Sequence, residues 1–265
     1  MMNYTLAFVI PVYNHPHYIA DLVDYLSEFQ RPIIVVNDGS DVTTSSLLQE
    51  LAHRYAQVTL FEHVQNLGKG HAVMTGLRQA WQMGFSHVLQ LDADGQHQWS
   101  DVEKFMQFSQ QSPQAMVIGQ PIFDESVPKK RLYGRYLTHF WVWLNSLSFD
   151  IKDSMCGFRV YPLATTMQVL NDHKLQAHMA FDTEILVRLK WLGVPFINVP
   201  TPVVYPEQGV SHFRLWQDNL NISQTHARLF AGMLYRLPQL LKQRVQASKL
   251  DKPKLEAPQD QDHNH

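Results

Sequence analysis

The sequence predicts an α/β fold with a mostly parallel central sheet, and two patterns predict it. Short, continuous apolar runs recur through the first 120 residues, as expected of strands that are buried on both faces of a sheet. Between these runs lie segments whose apolar residues recur at helical spacing. Because strands that alternate with helices form βαβ units, we expect a mostly parallel sheet covered on both faces.

The first half alternates strand and helix in a regular order. Apolar runs predict five strands, at residues 6–10, 33–36, 58–61, 87–91 and 115–118, and the first of them ends at Pro11. Three helices are predicted between the first four strands, each from apolar residues on one face. These residues are Ile19, Leu22, Val23 and Leu26, then Leu47, Leu48, Leu51 and Tyr55, then Val73, Leu77, Ala80 and Trp81.

The second half is less regular. Helices are predicted at 132–149, which is rich in aromatic residues, at 182–192, and from 215 to about 245, up to or around Pro238. A short strand is predicted at 196–199. Residues 246–265 are polar, contain two prolines and have no apolar period, so we expect a disordered tail. Residues 1–245 are therefore predicted to form a single domain.

The composition excludes several classes of protein. The 265 residues carry 22 Lys and Arg against 24 Asp and Glu, whereas nucleic-acid binders usually have a clearly basic balance. One Cys excludes an intrachain disulfide framework and fits a reducing compartment. There is no basic start leading into an apolar signal segment, and no run approaches the roughly 18 apolar residues of a membrane span. A cytoplasmic protein without a nucleic-acid partner is predicted.

Polar residues cluster directly after three of the predicted strands. The clusters are Pro-Val-Tyr-Asn at 11–14, Asn-Asp-Gly-Ser at 37–40 and Asp-Ala-Asp-Gly-Gln-His at 92–97. In a parallel α/β sheet, ligands bind at the carboxyl ends of the strands. Turns also favour Asn, Asp, Gly and Pro for backbone reasons, so turn formation is the simpler interpretation of the first two clusters.

The third cluster points to a metal. Asp92 and Asp94 are two residues apart at the end of an apolar strand, and two carboxylates this close are costly to hold together unless a cation neutralises them. Carboxylate oxygens suit Mg²⁺ or Mn²⁺, which also bind substrate phosphates. The sequence therefore predicts a divalent cation at this strand end.

A glycine-rich loop adds a site for an anion. Residues 66–70 (Asn-Leu-Gly-Lys-Gly) place Lys69 between two glycines at a predicted loop-to-helix junction. Backbone N–H groups at a helix start and an ammonium charge both favour an anion. The segment lacks the length and the terminal Lys-Ser/Thr of the phosphate-binding loop of nucleoside triphosphatases. Together with the acidic strand ends, it predicts a site for a diphosphate and a metal.

These motifs resemble those of glycosyltransferase family 2, in the same order: residues 9–14, 36–40, 66–70 and 91–97. The branch most resembled is that of dolichol-phosphate mannose synthase and the bacterial polyprenyl-phosphate glycosyltransferases, whose later motifs are similar to residues 153–159 and 181–184. The resemblance covers roughly residues 5–212. It implies the nucleotide-diphosphosugar transferase fold (GT-A, Rossmann-like), with a nucleotide-binding half of about 1–120 and an acceptor half of about 121–245.

The resemblance implies a metal-dependent, inverting glycosyltransferase that moves a sugar from a UDP- or GDP-sugar to a lipid-linked or glycan acceptor. The metal, Mg²⁺ or Mn²⁺, stabilises the charge that develops on the leaving nucleoside diphosphate. The implied metal ligands are Asp92, Asp94 and Gln96. The implied donor-binding residues are Pro11, Tyr13, Asn14, Asp38, Lys69, Gly70, Asp92, Ala93, Gln96, Arg159 and His212.

The implied catalytic residues are Asp153 and Glu184. Asp153 matches an acidic position in the acceptor half and is the candidate general base, which a hydroxyl acceptor needs and an anionic lipid phosphate does not. Alternatively, Asp153 pairs with Arg159 to brace the loop, and Arg159 serves structure rather than a phosphate. Glu184 is the second candidate for catalysis, and its alternative role is to order the start of a helix.

The acceptor half departs from the branch at two motifs. Gly-Gln-Pro at 119–121 stands where the branch typically has Gly-Ser-Arg, and Ser-His at 211–212 stands where it has Ser-Lys. The candidates for the missing positive charge are Lys129, Lys130, Arg131, Arg135 and Arg214.

Two segments mix apolar and aromatic residues with cations, as an interfacial helix does: 129–149 and 228–244. Core packing or a dimer contact explains either segment equally well. Peripheral contact at the inner face of the cell membrane, in cell envelope biosynthesis, is the expectation. Two other functions stay open. The first is a non-catalytic sugar-nucleotide-binding protein, which the intact Asp92 and Asp94 disfavour. The second is a nucleotidyltransferase, which usually has a glycine-rich basic loop after its first strand, and residues 11–14 lack that loop.

Overall fold

The computed structural model describes residues 3–122, 129–203 and 215–250. The strands in these ranges are β1 (Leu6–Val12), β2 (Ile33–Asn37), β3 (Val58–Glu62), β4 (His87–Gln90), β5 (Met116–Ile122), β6 (Arg159–Pro162) and β7 (Phe196–Pro202). The helices are α1 (Pro16–Ser27), α2 (Val42–Arg54), α3 (Lys69–Gln82), α4 (Val102–Gln111), α5 (Lys129–Ser146), α6 (Leu163–Asp172), α7 (Ala180–Trp191) and α8 (Leu215–Leu250).

These strands form one sheet in the order β3-β2-β1-β4-β6-β5-β7. β1 pairs in parallel with β2 and β4, β2 with β3, and β5 with β7. Among the described strands only β6 runs the other way, against both β4 and β5. The predicted α/β class and the mostly parallel sheet are confirmed.

Helices cover both faces of the sheet, as the continuous apolar runs predict. Every residue of β1 is buried, and successive side chains point to opposite faces. Ala7 and Val9 belong to a core cluster that includes residues of α3 and α7, whereas Phe8 and Ile10 belong to a cluster that includes residues of α1 and α2. A strand with two buried faces cannot show an alternating polar pattern, which explains the unbroken apolar run.

The strand order brings the polar clusters of the sequence together. β2, β1 and β4 are adjacent and parallel, so the segments that follow them leave the same edge of the sheet side by side. β4 and β5 both pair antiparallel with β6, and β7 pairs in parallel with β5, so β5 and β7 run in the same direction as β1 and β4. The carboxyl ends of β5 and β7 therefore lie at this edge too.

The sequence patterns missed one strand and two α-helices of the fold. β6 has only four residues and contains an Arg and a Pro, so it shows no apolar run. The helices α4 and α6, which flank β5 and β6, were not predicted either. The predicted strands at 6–10, 33–36, 58–61, 87–91, 115–118 and 196–199 all correspond to strands of the structure.

The last helix is longer than predicted. α8 contains Pro238 in its interior and continues to Leu250, so the expected tail does not begin at Gln246. Residues 251–265 lie outside the described residues, and their disorder stays a prediction. No helix in the described ranges combines the length and the apolarity needed to cross a membrane.

Candidate active site

The loops after β1 and β2 are joined by side-chain hydrogen bonds. The backbone N–H of Asn14 donates to Ser40 Oγ at 3.1 Å, and the Asn14 Oδ1 accepts from the Asp41 N–H at 2.8 Å. Asn14 has a φ of 51°, a left-handed conformation that Asn tolerates better than most residues. Pro11 is buried at the end of β1 and Tyr13 is half-buried just beyond it. The predicted donor-binding residues of this loop therefore lie at the common strand edge.

Asp38 holds the loop that leads into α3. Its Oδ1 and Oδ2 accept hydrogen bonds from the backbone N–H groups of Leu67 (3.0 Å) and Gly68 (2.8 Å), and its Oδ1 is 2.7 Å from His63 Nδ1. The side chain is 2% exposed. These contacts position the glycine-rich loop, and a direct contact of Asp38 with a nucleoside stays a prediction.

Lys69 begins α3 and lies between two carboxylates. Its Nζ donates to Asp92 Oδ2 at 2.7 Å and lies 3.2 Å from Asp182 Oδ2. Burial alone would lower the pKa of Lys69, but the carboxylates of Asp182 and Asp92 raise it above its ordinary value. Burial alone would raise the pKa of Asp92, but Lys69 and His97 hold it well below its ordinary value. The ion pair is therefore charged at neutral pH.

Gly70 has a packing reason as well as its place in the motif. A Cβ at this position would lie 2.4 Å from the Cβ of Phe181, in α7. The glycine therefore lets α3 approach α7, which carries Asp182. This approach brings Asp182 within reach of Lys69.

Lys69 is part of a closed ring of polar side chains. From Asp182 the ring continues to Arg159 Nη1 (3.0 Å), from Arg159 to the Tyr161 hydroxyl (3.3 Å), and from that hydroxyl to Gln90 Oε1 (3.0 Å). Gln90 Nε2 then donates to Asp92 Oδ1 at 3.2 Å, which closes the ring. Burial raises the pKa of Tyr161 to about 12, so its hydroxyl remains a donor.

Sequence reasoning found neither Gln90 nor Tyr161. Both are fully buried, and they are diagonal neighbours in the antiparallel pairing of β4 with β6, in which Tyr161 lies opposite Val88 and Gln90 opposite Arg159. A glutamine inside an apolar strand was the available signal, since a buried amide needs partners. Its partner could not be identified, because the short β6 was itself missed.

Arg159 has a structural position. The side chain is fully buried, its Nε donates to the Cys156 carbonyl at 2.7 Å, and its Nη2 donates to the Ser154 carbonyl at 2.9 Å. Its Nη1 also donates to the Asp182 carbonyl, at 3.1 Å. A fully buried guanidinium with these partners favours the alternative role of bracing the loop before β6, and a role of Arg159 in donor binding stays a prediction.

Asp94 and Gln96 offer oxygens for a cation. Both are half-buried, and Asp94 Oδ1 accepts from the Gln96 N–H at 3.0 Å, while no described residue donates to Asp94 Oδ2. Ala93 between the two acidic residues is buried. The described ranges hold no set of three or more His, Cys, Asp and Glu arranged around a metal. One carboxylate and one amide oxygen fit a hard cation whose other ligands come from a substrate.

The sequence predicted a metal because Asp92 and Asp94 lie close together, but the structure shows another cation beside Asp92. Asp92 does not need a divalent cation to offset its charge, because the Lys69 ammonium group is 2.7 Å away. The side chain of His97 is 6% exposed, and its Nε2 lies 3.8 Å from Asp92 Oδ2. Burial alone would lower the pKa of His97, but Asp92 and Cys156 raise it to about 10. Asp94 is therefore the better candidate ligand of the two acidic residues.

Asp153 is braced on all sides. Its Oδ2 accepts from Arg135 Nε at 2.5 Å and lies 3.3 Å from His139 Nε2, while its Oδ1 accepts from the N–H groups of Met155 (2.9 Å) and Cys156 (2.7 Å). Burial alone would raise the pKa of Asp153, but His139 and Arg135 hold it well below its ordinary value. A carboxylate with this pKa is a weak base, so the geometry favours the bracing alternative, with Arg135 rather than Arg159 as partner.

Glu184 likewise orders its surroundings. It is 1% exposed, its Oε2 accepts from the Gln176 N–H at 2.9 Å, and its Oε1 accepts from Arg188 Nε (3.0 Å) and Nη2 (2.8 Å). Both oxygens are therefore occupied within the protein, which favours the helix-ordering role over catalysis. His212, the last predicted donor-binding residue, and Arg214 lie outside the described residues.

The acceptor half touches the strand edge through Gly157. A Cβ on this glycine would lie 2.0 Å from Asp92 Oδ2, so only a glycine leaves room for the Asp92 carboxylate. The loop that carries Gly157 runs from Asp153 to Arg159, and both of its ends are braced by the contacts above. The two halves of the chain therefore meet at Asp92.

Known proteins are similar to this chain in sequence. The family model described as Glycosyl transferase family 2 matches residues 7–172. The dolichyl-phosphate beta-glucosyltransferase ALG5D of Trichomonas vaginalis is 29% identical over 205 residues, which are 69% of this chain and 60% of that protein. The UDP-N-acetylglucosamine–dolichyl-phosphate N-acetylglucosaminyltransferase of Methanococcus voltae is 26% identical over 228 residues, 80% of this chain and 90% of that protein. The chain thus spans less than two thirds of the Trichomonas protein.

Solved structures share the fold at low sequence identity. Glucosyl-3-phosphoglycerate synthase of Mycobacterium tuberculosis, in complex with Mn²⁺, UDP-glucose and phosphoglyceric acid, has a TM-score of 0.61 and 13% identity, over 88% of this chain and 80% of that one. A mannosyltransferase of Pyrobaculum calidifontis, in complex with GDP-mannose and Mn²⁺, has a TM-score of 0.55 and 15% identity, over 94% and 77%. The expected GT-A fold is confirmed. With the family model matching more than half of its length, this chain belongs to glycosyltransferase family 2.

Proposed function

We propose that the protein transfers a sugar from a UDP- or GDP-sugar to the phosphate of a polyprenyl-type lipid. The observation that carries this proposal is the difference between the two acidic residues after β4. Both oxygens of Asp92 accept hydrogen bonds from Lys69 and Gln90, whereas Asp94 Oδ2 accepts from no described donor. The Asp92 carboxylate is held by the protein, whereas the Asp94 carboxylate remains available to a cation. This arrangement suits a site that binds the charged diphosphate of a donor.

Asp94 and Gln96 would hold Mg²⁺ or Mn²⁺ together with the donor diphosphate. When bound, the cation stabilises the charge of the leaving nucleoside diphosphate. The Mn²⁺ in the Mycobacterium and Pyrobaculum complexes supports this proposal by analogy of fold alone.

The ring keeps this strand end rigid. Lys69 and Gln90 hold the two oxygens of Asp92 from opposite sides, and Gly157 packs against the carboxylate. Asp92 is thus restricted to one orientation, which positions the backbone that leads to Asp94. Preorganisation of this kind lowers the cost of binding and of reaching the transition state.

The acceptor chemistry follows from the absence of an available base among the predicted candidates. Asp153 and Glu184 accept hydrogen bonds or ion pairs at both oxygens, so neither is placed to remove a proton from a hydroxyl. A phosphate acceptor needs no such base, since its oxygen is already anionic. The names of the Trichomonas and Methanococcus relatives, both dolichyl-phosphate transferases, support the same acceptor class.

The proposed step is an inverting displacement. An oxygen of the lipid phosphate forms a bond to the anomeric carbon as the bond from that carbon to the donor diphosphate breaks. The electron pair of the broken bond leaves with the nucleoside diphosphate. The products are a lipid-phosphate sugar and UDP or GDP.

A transfer assay tests the proposal. Radiolabelled UDP-glucose, UDP-N-acetylglucosamine and GDP-mannose are each incubated with the full chain, Mn²⁺ and either dolichyl phosphate or the unphosphorylated alcohol dolichol. We expect labelled lipid from one donor with dolichyl phosphate and none with dolichol. Equal transfer to dolichol would overturn the phosphate acceptor, and donor binding without turnover on any acceptor would indicate a non-catalytic binding protein.

A further inference from the structure

The outer side of α8 carries an apolar stripe that no described residue covers. Ala227, Leu234 and Leu241 are seven residues apart and therefore lie on one side of the helix, at about 3.6 residues per turn. Leu234 is 51% and Leu241 is 49% exposed. The opposite side of α8 is buried and includes Leu229 and Met233. The core therefore does not explain the stripe.

α5 continues this surface. Tyr136, Leu137 and Phe140 are 65%, 63% and 55% exposed. Between them and the stripe, the rings of Trp141 and Phe230 contact each other edge to face, with their centroids 6.4 Å apart. We call the set of Tyr136, Leu137, Phe140, Ala227, Leu234 and Leu241 the α5–α8 face.

The two helices that form this face are strongly basic. The helices α5 (Lys129–Ser146) and α8 (Leu215–Leu250) together contain nine Lys and Arg and one Asp, in a chain whose formal net charge is −2. On α8, Lys242 and Arg244 are exposed and flank the stripe. The remainder of the chain is accordingly acidic, whereas α5 and α8 carry a net positive charge.

The face lies close to the candidate site. β5 and β7, whose carboxyl ends share the strand edge with β4, precede α5 and α8 in the chain. The inner side of α5 carries Arg135 and His139, which hold Asp153 at the start of the loop that reaches Asp92. A single helix thus connects the exposed face to the acceptor half of the site.

We propose that the α5–α8 face binds the surface of an anionic lipid bilayer. Apolar side chains between basic ones are the pattern that enters the headgroup region of a membrane, with the cations on the anionic headgroups. A second copy of the chain fits less well, because a twofold contact through this face would bring two basic surfaces together. The inference deepens the proposed function, on which it rests for the identity of the acceptor but not for the binding itself.

Vesicle flotation with the full chain, without donor or acceptor, tests this inference. The vesicles are phosphatidylcholine with or without phosphatidylglycerol. We expect binding to the anionic vesicles and much weaker binding to the neutral ones. The double variant Lys242→Gln/Arg244→Gln should bind the anionic vesicles about 25-fold more weakly, about five-fold for each cation removed. Leu137→Ser/Leu234→Ser should reduce binding about tenfold.

Two matched variants control for charge and apolarity outside the face. Arg54→Gln/Lys174→Gln removes two exposed cations, and Val42→Ser/Val64→Ser removes two exposed apolar residues, which are 82% and 105% exposed. Both should bind vesicles as the unmodified chain does. Equal binding to neutral vesicles, or equal losses in the controls, would overturn the inference. If Leu137→Ser/Leu234→Ser changes the oligomeric state but still binds vesicles, the α5–α8 face contacts a second copy of the chain rather than a bilayer.

This experiment separates the inference from the proposed function. Vesicle binding requires no sugar transfer, so an inactive chain that floats with anionic vesicles supports the bilayer contact and contradicts only the proposed activity. Conversely, suppose that the chain transfers sugar to detergent-dispersed dolichyl phosphate but does not float with vesicles. That result would overturn the bilayer contact and support the proposed activity.

Discussion

The motif residues after β4 and those of the acceptor half lie in opposite environments. Asp94 and Gln96 are half-buried at the strand edge, whereas Asp153, Arg159 and Glu184 are 3%, 0% and 1% exposed. Both groups belong to segments that resemble family motifs, yet only the first leaves polar atoms available to a ligand. A residue that contacts substrate and a residue that only holds another residue in place can therefore belong to the same motif. The burial of the side chain distinguishes the two.

The ring of polar side chains connects these two environments. Asp92 and Lys69 come from the nucleotide-binding half, and Arg159 and Asp182 from the acceptor half. Two cations and two carboxylates alternate, so each charge is offset by its neighbours. Removal of Arg159 leaves the buried Asp182 with Lys69 as its one remaining cation, and the loss of a partner from a buried ion pair costs more than the pair contributes.

The largest expected effect on activity is at Asp94. Asp94→Asn should lower sugar transfer by about a thousandfold, because a metal ligand contributes several kcal/mol to transition-state stabilisation. The melting temperature should stay unchanged, since Asp94 is half-buried and outside the ring. Asp21→Asn, an exposed residue of α1, is the control and should keep full activity. Transfer at the normal rate by Asp94→Asn would contradict the proposal that Asp94 holds the metal.

The largest expected effect on stability is at Arg159. Arg159→Met should lower the free energy of unfolding by about 3–5 kcal/mol, because Asp182 is left buried without its guanidinium partner. Urea denaturation measures the loss. If Arg159 instead held a phosphate, the variant would unfold like the unmodified chain and show only a raised KM for donor or acceptor. That result would contradict the division between the two environments.

The contact between the two halves can be tested at Gly157. Gly157→Ala places a methyl group 2.0 Å from Asp92 Oδ2 and should displace this carboxylate from Lys69. We expect transfer to fall by about 10- to 100-fold, or about 1.4–2.7 kcal/mol. Gly134→Ala in α5 is the matched control, since its methyl group meets nothing within 4 Å. It should keep activity and raise stability by about 0.5–1 kcal/mol. Equal activity in the two variants would exclude the Gly157 contact.

A smaller, pH-dependent effect is expected at Asp153. Its folded-state pKa lies below the ordinary 3.8, so its contribution to stability is fully present above that value and is lost as the pH falls toward the folded-state pKa. Asp153→Asn should cost about 1–3 kcal/mol at pH 7, and its stability should fall less steeply than that of the unmodified chain between about pH 5 and pH 2. Urea denaturation over this range measures both. Parallel pH profiles would show that Asp153 is not the bracing carboxylate.

The sequence predicted the parallel part of the fold well for a physical reason. Strands such as β1, buried on both faces, produce continuous apolar runs, and the helices between them carry one apolar face. The antiparallel β6 escaped because Arg159 is satisfied by long-range partners that a linear pattern does not show. The same limit applies to the site. The cluster at 92–97 was found locally, whereas the ion pair of Lys69 with Asp182 joins residues more than a hundred positions apart.

The central claim is that the strand end after β4 binds the donor diphosphate through a cation at Asp94. Calorimetric titration of UDP and GDP into the unmodified chain and into Asp94→Asn, each with and without Mn²⁺, tests it most directly. We predict that Mn²⁺ increases the affinity of the unmodified chain for one nucleotide by about tenfold or more, and that Asp94→Asn loses this increase. Binding that is equally tight without Mn²⁺, or an undiminished Mn²⁺ effect in Asp94→Asn, would contradict the claim.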